Sequence, residues 1–257
     1  MAESLKDLLG FAQEIAWQAG KITLRHFQTG IIADRKADDS PVTLADRDTE
    51  AYLRAMIGKR YPQHAILGEE EGLSGSDDAE YRWVLDPIDG TKTFIRGVPF
   101  YGVLIGLLHN NEPVAGVINM PALNELVYAA NGMGCYWNGR PCQVSAVSRL
   151  EDALLVGTTA FGYEAHGKGA AFARLVGATG MMRTWADCYG YVLVATGRAE
   201  ICVDPLMNIW DAAPMLPILR EAGGSYTDWQ GNPTIDGGEG VGTNGLLLDQ
   251  VLGLIRG

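Results

Sequence analysis

The stretch Val84–Phe94 reads VLDPIDGTKTF and holds a contradiction whose resolution decides the fold. Its apolar opening is that of a buried strand, yet Asp86 and Asp89 stand at its end with a proline between them. Buried charge is costly unless an opposite charge meets it. Pro87 biases Asp86 toward an extended backbone, so Asp86 is expected at the strand end, with the chain turning to bring Asp89 back beside it. Two carboxylates that close repel one another or share a proton unless a cation lies between them. The dipeptides D-P and D-G also favour turns, so a purely structural role fits the same spacing.

Two more acidic points have similar surroundings. Glu69-Glu70-Glu71 follows the apolar Ile66-Leu67-Gly68, and Asp211 follows Ile209-Trp210 at the start of a helical stretch. An apolar approach that ends in a turn or helix start is where a scaffold presents side chains to a cleft. Taken singly, Asp211 suits a helix N-cap equally well, and the acidic triplet suits a solvated loop. No histidine or cysteine lies near any of the three points, so as a ligand set they offer oxygen only. Oxygen donors select a hard ion such as Mg²⁺ and disfavour zinc. Gly90-Thr91 then adds close backbone approach, a hydroxyl and the N–H groups of a helix expected to start at about Thr91, which suit a phosphate.

The rest of the chain bounds the answer. With 257 residues, 47% of them hydrophobic, it can bury a large core as one domain or two closely joined halves. Thirty-one acidic against 20 basic residues give a formal charge of -11, which argues against a nucleic-acid partner and suits a protein that gathers cations. The four cysteines show neither C-x-x-C nor zinc spacing and read as reduced thiols. The opening MAESLKDLLG lacks a basic start with an unbroken apolar core, and no run approaches the roughly eighteen apolar residues of a membrane span, so a cytoplasmic protein off the membrane is expected.

Leu5, Leu8, Leu9, Ala12, Ile15, Ala16, Ala19 and Ile22 share one helical face and predict an amphipathic first helix. After a short strand and the loop KADDSP, a second helix is expected over about Leu44–Arg60, with Asp46 in its first turn. From Tyr101 to Val144, β-rich segments divided by Asn110-Asn111, Asn131-Gly132 and Asn138-Gly139 predict an antiparallel meander. Helical stretches near 167–177, 188–197, 210–222 and 246–256 then alternate with strands at 200–204 and 224–228. The four histidines have no partner motif and are expected at the surface.

GEE at 68–70, DPIDGT at 86–91 and WDAA at 210–213, in that order, resemble the Mg²⁺-dependent, lithium-sensitive inositol monophosphatase superfamily of phosphomonoesterases. VTLAD at 42–46 and EAGG at 221–224 extend the resemblance over nearly the whole chain. It implies an α+β fold, a layered α/β/α/β/α sandwich. Residues 1–145 would form a half with a large antiparallel sheet, and 146–257 a half with a smaller mixed one. By position, it implies a first metal on Glu69, Asp86 and the Ile88 carbonyl, a second on Asp86, Asp89 and Asp211, and a third, looser ion on Glu69. Asp46 and Thr91 would orient the attacking water, and Gly90 and Thr91 would offer N–H groups to the phosphate. Hydrolysis by metal-activated water without a phosphoenzyme follows, together with a homodimer.

Inositol monophosphatases usually read DGTTNF where this chain reads DGTKTF, and DCYGY at 187–191 replaces their Gly-Thr/Ser-Ala turn. These segments, with GGSYTDWQG at 223–231, are closer to the histidinol-phosphate phosphatase branch. Histidinol phosphate carries an ammonium and an imidazole, which carboxylates at Asp187 and Asp204 would complement. Asp187 also suits a cap for a helix starting at Cys188. Asn244 could offer its amide to an imidazole nitrogen, or serve a turn before Gly245. The competing substrates are inositol 1-phosphate, fructose 1,6-bisphosphate and adenosine bisphosphate. A non-catalytic binding protein would have lost a ligand position, and here every one is filled.

Overall fold

The computed structural model describes residues 3–36, 40–185 and 187–257. Residues 37–39 of the KADDSP loop and residue 186 of the turn before Asp187 lie outside the described residues. In chain order the elements are α1 (Leu5–His26), β1 (Ala33–Arg35), β2 (Pro41–Thr43), α2 (Leu44–Arg60), β3 (Ala65–Gly68), β4 (Gly72–Ser74), β5 (Tyr81–Asp89), α3 (Thr91–Phe94), β6 (Gly102–His109), β7 (Glu112–Met120), β8 (Glu125–Ala130), β9 (Cys135–Trp137) and β10 (Arg140–Cys142). They continue with β11 (Leu154–Gly157), α4 (Ala160–Ala165), α5 (Gly169–Ala178), β12 (Met181–Arg183), α6 (Cys188–Ala195), β13 (Ile201–Asp204), α7 (Ile209–Glu221), β14 (Ser225–Thr227), β15 (Gly240–Thr243) and α8 (Leu248–Arg256).

Two main sheets and three helical layers alternate, and β1 pairs with β2 in a separate two-stranded sheet. The larger sheet runs β10-β9-β8-β7-β6-β5-β3-β4 and the smaller runs β12-β11-β13-β15-β14. Along β5, β6 and β7 side chains alternate between two cores, so the strands read as continuous apolar runs. Trp83, Leu85, Val103, Ile105 and Val117 pack under α1 and α2, while Val84, Leu104 and Ile118 face α6 and α7. Beyond those middle helices, Leu155, Ile201 and Val203 of the smaller sheet pack against Phe172, Leu175 and Val251 of the outer helices. This is the expected α/β/α/β/α sandwich.

Two details depart from the sequence reading. The large sheet is not wholly antiparallel, because β3 lies parallel to β5 with Gly68 opposite Leu85. That pairing brings the carboxyl ends of both strands, and so Glu69 and Asp86, to one edge. His64 is not at the surface: it is 7% exposed, its Nδ1 accepts from Trp83 Nε1 at 3.0 Å, and its ring stacks on Tyr61 and Tyr81. Since an indole N–H can only donate, this contact requires the imidazole to be neutral at Nδ1.

The middle layer is drawn close by two glycines. Gly106 and Gly116 are directly paired across β6 and β7. A Cβ on the first would fall 2.6 Å from Ala213 Cβ, and one on the second 2.3 Å from the Pro214 carbonyl oxygen. Only glycine at both positions lets α7 lie flat on the sheet, with Asp211 in its first turn over the end of β5.

Candidate active site

Strand β5 does not turn at Pro87. It continues to Asp89, and a bulge supplies the change of direction: Asp86 pairs with Leu104 but Asp89 with Gly102, three steps on one strand against two on the other. Strict alternation would place residues three apart on opposite faces. The extra residue of the bulge restores the parity, so both acids face α7. Asp86, Asp89 and Asp211 each present a carboxylate oxygen, all within 4.8 Å of one another.

The three are held at fixed angles by protein donors. Ile88 N–H donates to Asp86 Oδ1 at 2.9 Å, and Cys188 N–H, at the start of α6, donates to Asp89 Oδ2 at 2.6 Å. Asp211 is the third helical residue of α7 and accepts from Asn208 N–H at 2.8 Å. It is therefore one half of a capping box, not the N-cap itself. Asp46 repeats this device on α2: its Oδ2 accepts from Thr43 N–H at 2.8 Å and Thr43 Oγ1 at 2.6 Å. Its Oδ1 is left to Thr91 Oγ1 at 3.3 Å, and the same hydroxyl also donates to the Ile88 carbonyl at 3.0 Å.

Burial and like charge act together on the cluster. Burial, then Glu69, Asp89 and Asp211, raise the Asp86 carboxyl well above its ordinary value. Burial, then Asp187 and Asp211, do the same to Asp89. Asp211 is pushed up to about 6 by burial, against the opposing bond from Asn208. Such a set of oxygen donors, one buried and two half-buried, fits a hard divalent cation, whose charge would reverse these shifts.

Glu69 stands slightly apart. Lys36 Nζ holds its Oε1 at 2.8 Å and Glu70 Oε1 at 2.7 Å. Burial still raises Glu70 to about 7. The turn carrying these acids is fastened from behind by Glu50, a residue with no motif of its own. Its carboxylate accepts from Glu70 N–H at 2.8 Å, Glu71 N–H at 3.0 Å and Arg54 Nε at 2.8 Å. A polar residue on the buried face of an amphipathic helix is the one signal that could have found it.

The cluster opens into a cleft of about 870 Å³ lined by Glu69, Asp89, Gly90, Thr91, Asp187, Asp204 and Asp211 among others. The helix at Thr91 is a single turn, Thr91–Phe94, headed by Gly90 in the left-handed region at φ 79°. Asp187 precedes α6 but its side chain makes no cap; it accepts instead from Thr93 Oγ1 at 3.3 Å. Asp204, at the end of β13, is 4% exposed and is raised well above its ordinary value by burial and then by Asp187. Asn244 lies elsewhere. Its amide donates to the Ser145 and Val147 carbonyls of the segment before β11, and its Oδ1 accepts from Leu247 N–H at 3.2 Å in the β15–α8 turn, so both ends are committed.

The sequence of residues 4–255 matches the family model for the inositol monophosphatase family. The chain belongs to that family. It is thereby a phosphoric monoester hydrolase. It is 42% identical over 234 residues to a histidinol-phosphatase of Chlorobaculum parvum, covering 91% of this chain and 90% of that one. To a histidinol-phosphatase of Mycobacterium tuberculosis it is 38% identical over 252 residues, 96% of each. Among solved structures, the suhB extragenic suppressor protein of Bartonella henselae superposes with a TM-score of 0.91 at 27% identity, covering 97% and 98% of the chains. An inositol monophosphatase of Zymomonas mobilis superposes with a TM-score of 0.88 at 31% identity, covering 99% and 100%. In this inositol monophosphatase family member, the acids predicted from DPIDGT and WDAA thus meet at one point, while Asn244 does not join them.

Proposed function

We propose that the protein is a Mg²⁺-dependent histidinol-phosphate phosphatase, a cytoplasmic enzyme of histidine biosynthesis that acts as a homodimer. The observation that carries the substrate is the pair Asp187 and Asp204, two carboxylates on the wall of the cleft that holds the acidic cluster. Neither belongs to the group of three within 4.8 Å. A substrate with an ammonium and an imidazole can meet their charge; a neutral inositol ring brings no cation to either. The histidinol-phosphatase names of relatives at 42% and 38% identity support the same reading.

Glu69, Asp86, the Ile88 carbonyl, Asp89 and Asp211 would hold two or three Mg²⁺. When bound, the ions supply charge neutralisation at the phosphate and acidify water. The chain's own residues do the positioning. Thr91 has a single hydroxyl proton, directed to Asp46 and Ile88, so its oxygen is left to accept from a water. Asp46, pinned through Oδ2, keeps Oδ1 aimed at that hydroxyl. Gly90 and Thr91 would offer N–H groups to the phosphate.

Inositol-1-monophosphatase is the second reading, favoured by relatives such as that of Mesorhizobium japonicum at 31% identity. Phosphate release with Mg²⁺ from histidinol phosphate and inositol 1-phosphate separates the two. Asp187→Ala is expected to lower kcat/KM on histidinol phosphate by on the order of tenfold or more and to leave inositol phosphate little changed. Equal losses on both substrates would remove the charge-complementarity reading.

A further inference from the structure

Cys135 and Cys142 are directly paired across the β9–β10 hairpin, whose Asn138-Gly139 turn closes on Trp137 and Arg140. Their sulfurs are 3.5 Å apart and in hydrogen-bonding contact. Opposed residues of this kind have Cα atoms about 4.5–5.5 Å apart, within the range a disulfide spans. The other two thiols have different neighbours: Cys188 Sγ lies 3.5 Å from the Met120 thioether and Cys202 Sγ 4.0 Å from Asp204.

The two members of the pair differ. Cys135 is 2% exposed, whereas Cys142 is only half-buried, on the edge strand of the larger sheet. The bond from Cys135 holds the Cys142 thiol below its ordinary value, and the Arg198 guanidinium adds to this against the effect of burial. A half-buried cysteine in sulfur contact with a buried partner is the arrangement of an attacking and a resolving thiol.

We propose that Cys135 and Cys142 form a reversible oxidation site, which takes hydrogen peroxide as oxidant and closes to a disulfide that clamps the edge of the large sheet. The Cys142 thiolate attacks a peroxide oxygen, the O–O bond breaks, and the departing hydroxide takes a proton to leave as water. This gives a sulfenic acid. Cys135, giving up its proton, attacks that sulfur and displaces the hydroxyl as a second water. The pair loses two electrons and two protons, the peroxide is reduced to two waters, and a dithiol reverses the change. The reduced thiols expected from the sequence are then one of two states.

Hydrogen peroxide treatment of the full chain tests this. Thiols titrated in denaturant should fall from the four of the reduced chain to a pair, with intact mass lower by two hydrogens. Fragments cleaved after Trp137 should stay joined until dithiothreitol is added. Cys135→Ser should stop at a sulfenic acid on Cys142 that dimedone traps, and Cys142→Ser should form no bridge. The melting temperature of the wild type should rise on oxidation and return on reduction. Oxygen added to the mass without a bridge, a bridge through Cys188 or Cys202, or a bridge between chains would overturn the site; an unchanged or lower melting temperature would overturn the clamp. If either variant fails to fold, the fragment map of the wild-type chain decides the question.

Discussion

Glu50 and Asp86 are both buried carboxylates that neighbour the acidic turn at 69–71, and their surroundings are opposite. Glu50 is met by an arginine and two backbone N–H groups. Asp86 has one backbone donor and faces Glu69, Asp89 and Asp211. The first is complete as it stands and fixes a turn. The second sets like charges against one another, a mismatch that a shared proton or a bound cation would relieve. A buried acid with donors around it is part of the scaffold, and a buried acid among other acids is a place where the scaffold waits for a ligand.

The largest expected effect breaks the second arrangement. Asp89→Asn keeps an oxygen for the Cys188 N–H, so the fold should survive, but it removes a charge from the cluster. Mg²⁺-dependent phosphate release should fall by at least on the order of 10³-fold. Turnover near the wild-type rate would remove Asp89 from the metal set.

Stability separates the two acids by sign. Glu50→Gln leaves Arg54 without its buried partner and should cost about 3 kcal/mol in urea unfolding. Asp86→Asn keeps the bond from Ile88 and relieves like-charge repulsion, so the metal-free protein should gain about 1 kcal/mol while losing activity. Two losses of similar size would mean that Asp86 is structural after all.

Much of the site is legible in the sequence because its acids sit on local signals: a strand end, a turn, two helix starts. What is not legible is long-range. The spacing of Asp86 and Asp89 suggests a turn at Pro87, but a bulge against Leu104 and Gly102 is a property of the strand pair, invisible in either strand alone. The parallel pairing that carries Glu69 to Asp86, and the Gly106–Gly116 contact that admits α7, are likewise statements about partners. Glu50 and His64 are missed for the same reason, since a polar side chain reads as surface until its buried donors are seen. Asn244 errs the other way: a free-looking amide in a turn is consumed by Ser145 and Val147.

Acidity gives a further, smaller separation. Asp211 has a folded value of about 6 against 3.8 for the free side chain. Between those values the folded chain binds the extra proton, so the metal-free protein should lose stability as pH rises from about 4 to 6. Saturating Mg²⁺ should flatten or invert that slope, as melting curves across the range would show. A metal-free slope that rises with pH would mean that other groups outweigh the cluster.

The smallest effect concerns the substrate side of the same comparison. Asp187 is held at φ 56° and ψ −159°, a backbone region nearly reserved for glycine, and burial raises its carboxyl. Its bond from Thr93, at 3.3 Å, is long. Neither the backbone nor the local hydrogen bonding explains an aspartate there, which places Asp187 with Asp86 and not with Glu50. Asp187→Gly should therefore stabilise the metal-free protein by roughly 1 kcal/mol, relief of backbone strain exceeding the entropy that glycine adds to the unfolded chain. The same variant should lose rate on a cationic phosphomonoester. A destabilised Asp187→Gly would show instead that the Thr93 contact holds the turn, and would return Asp187 to the scaffold.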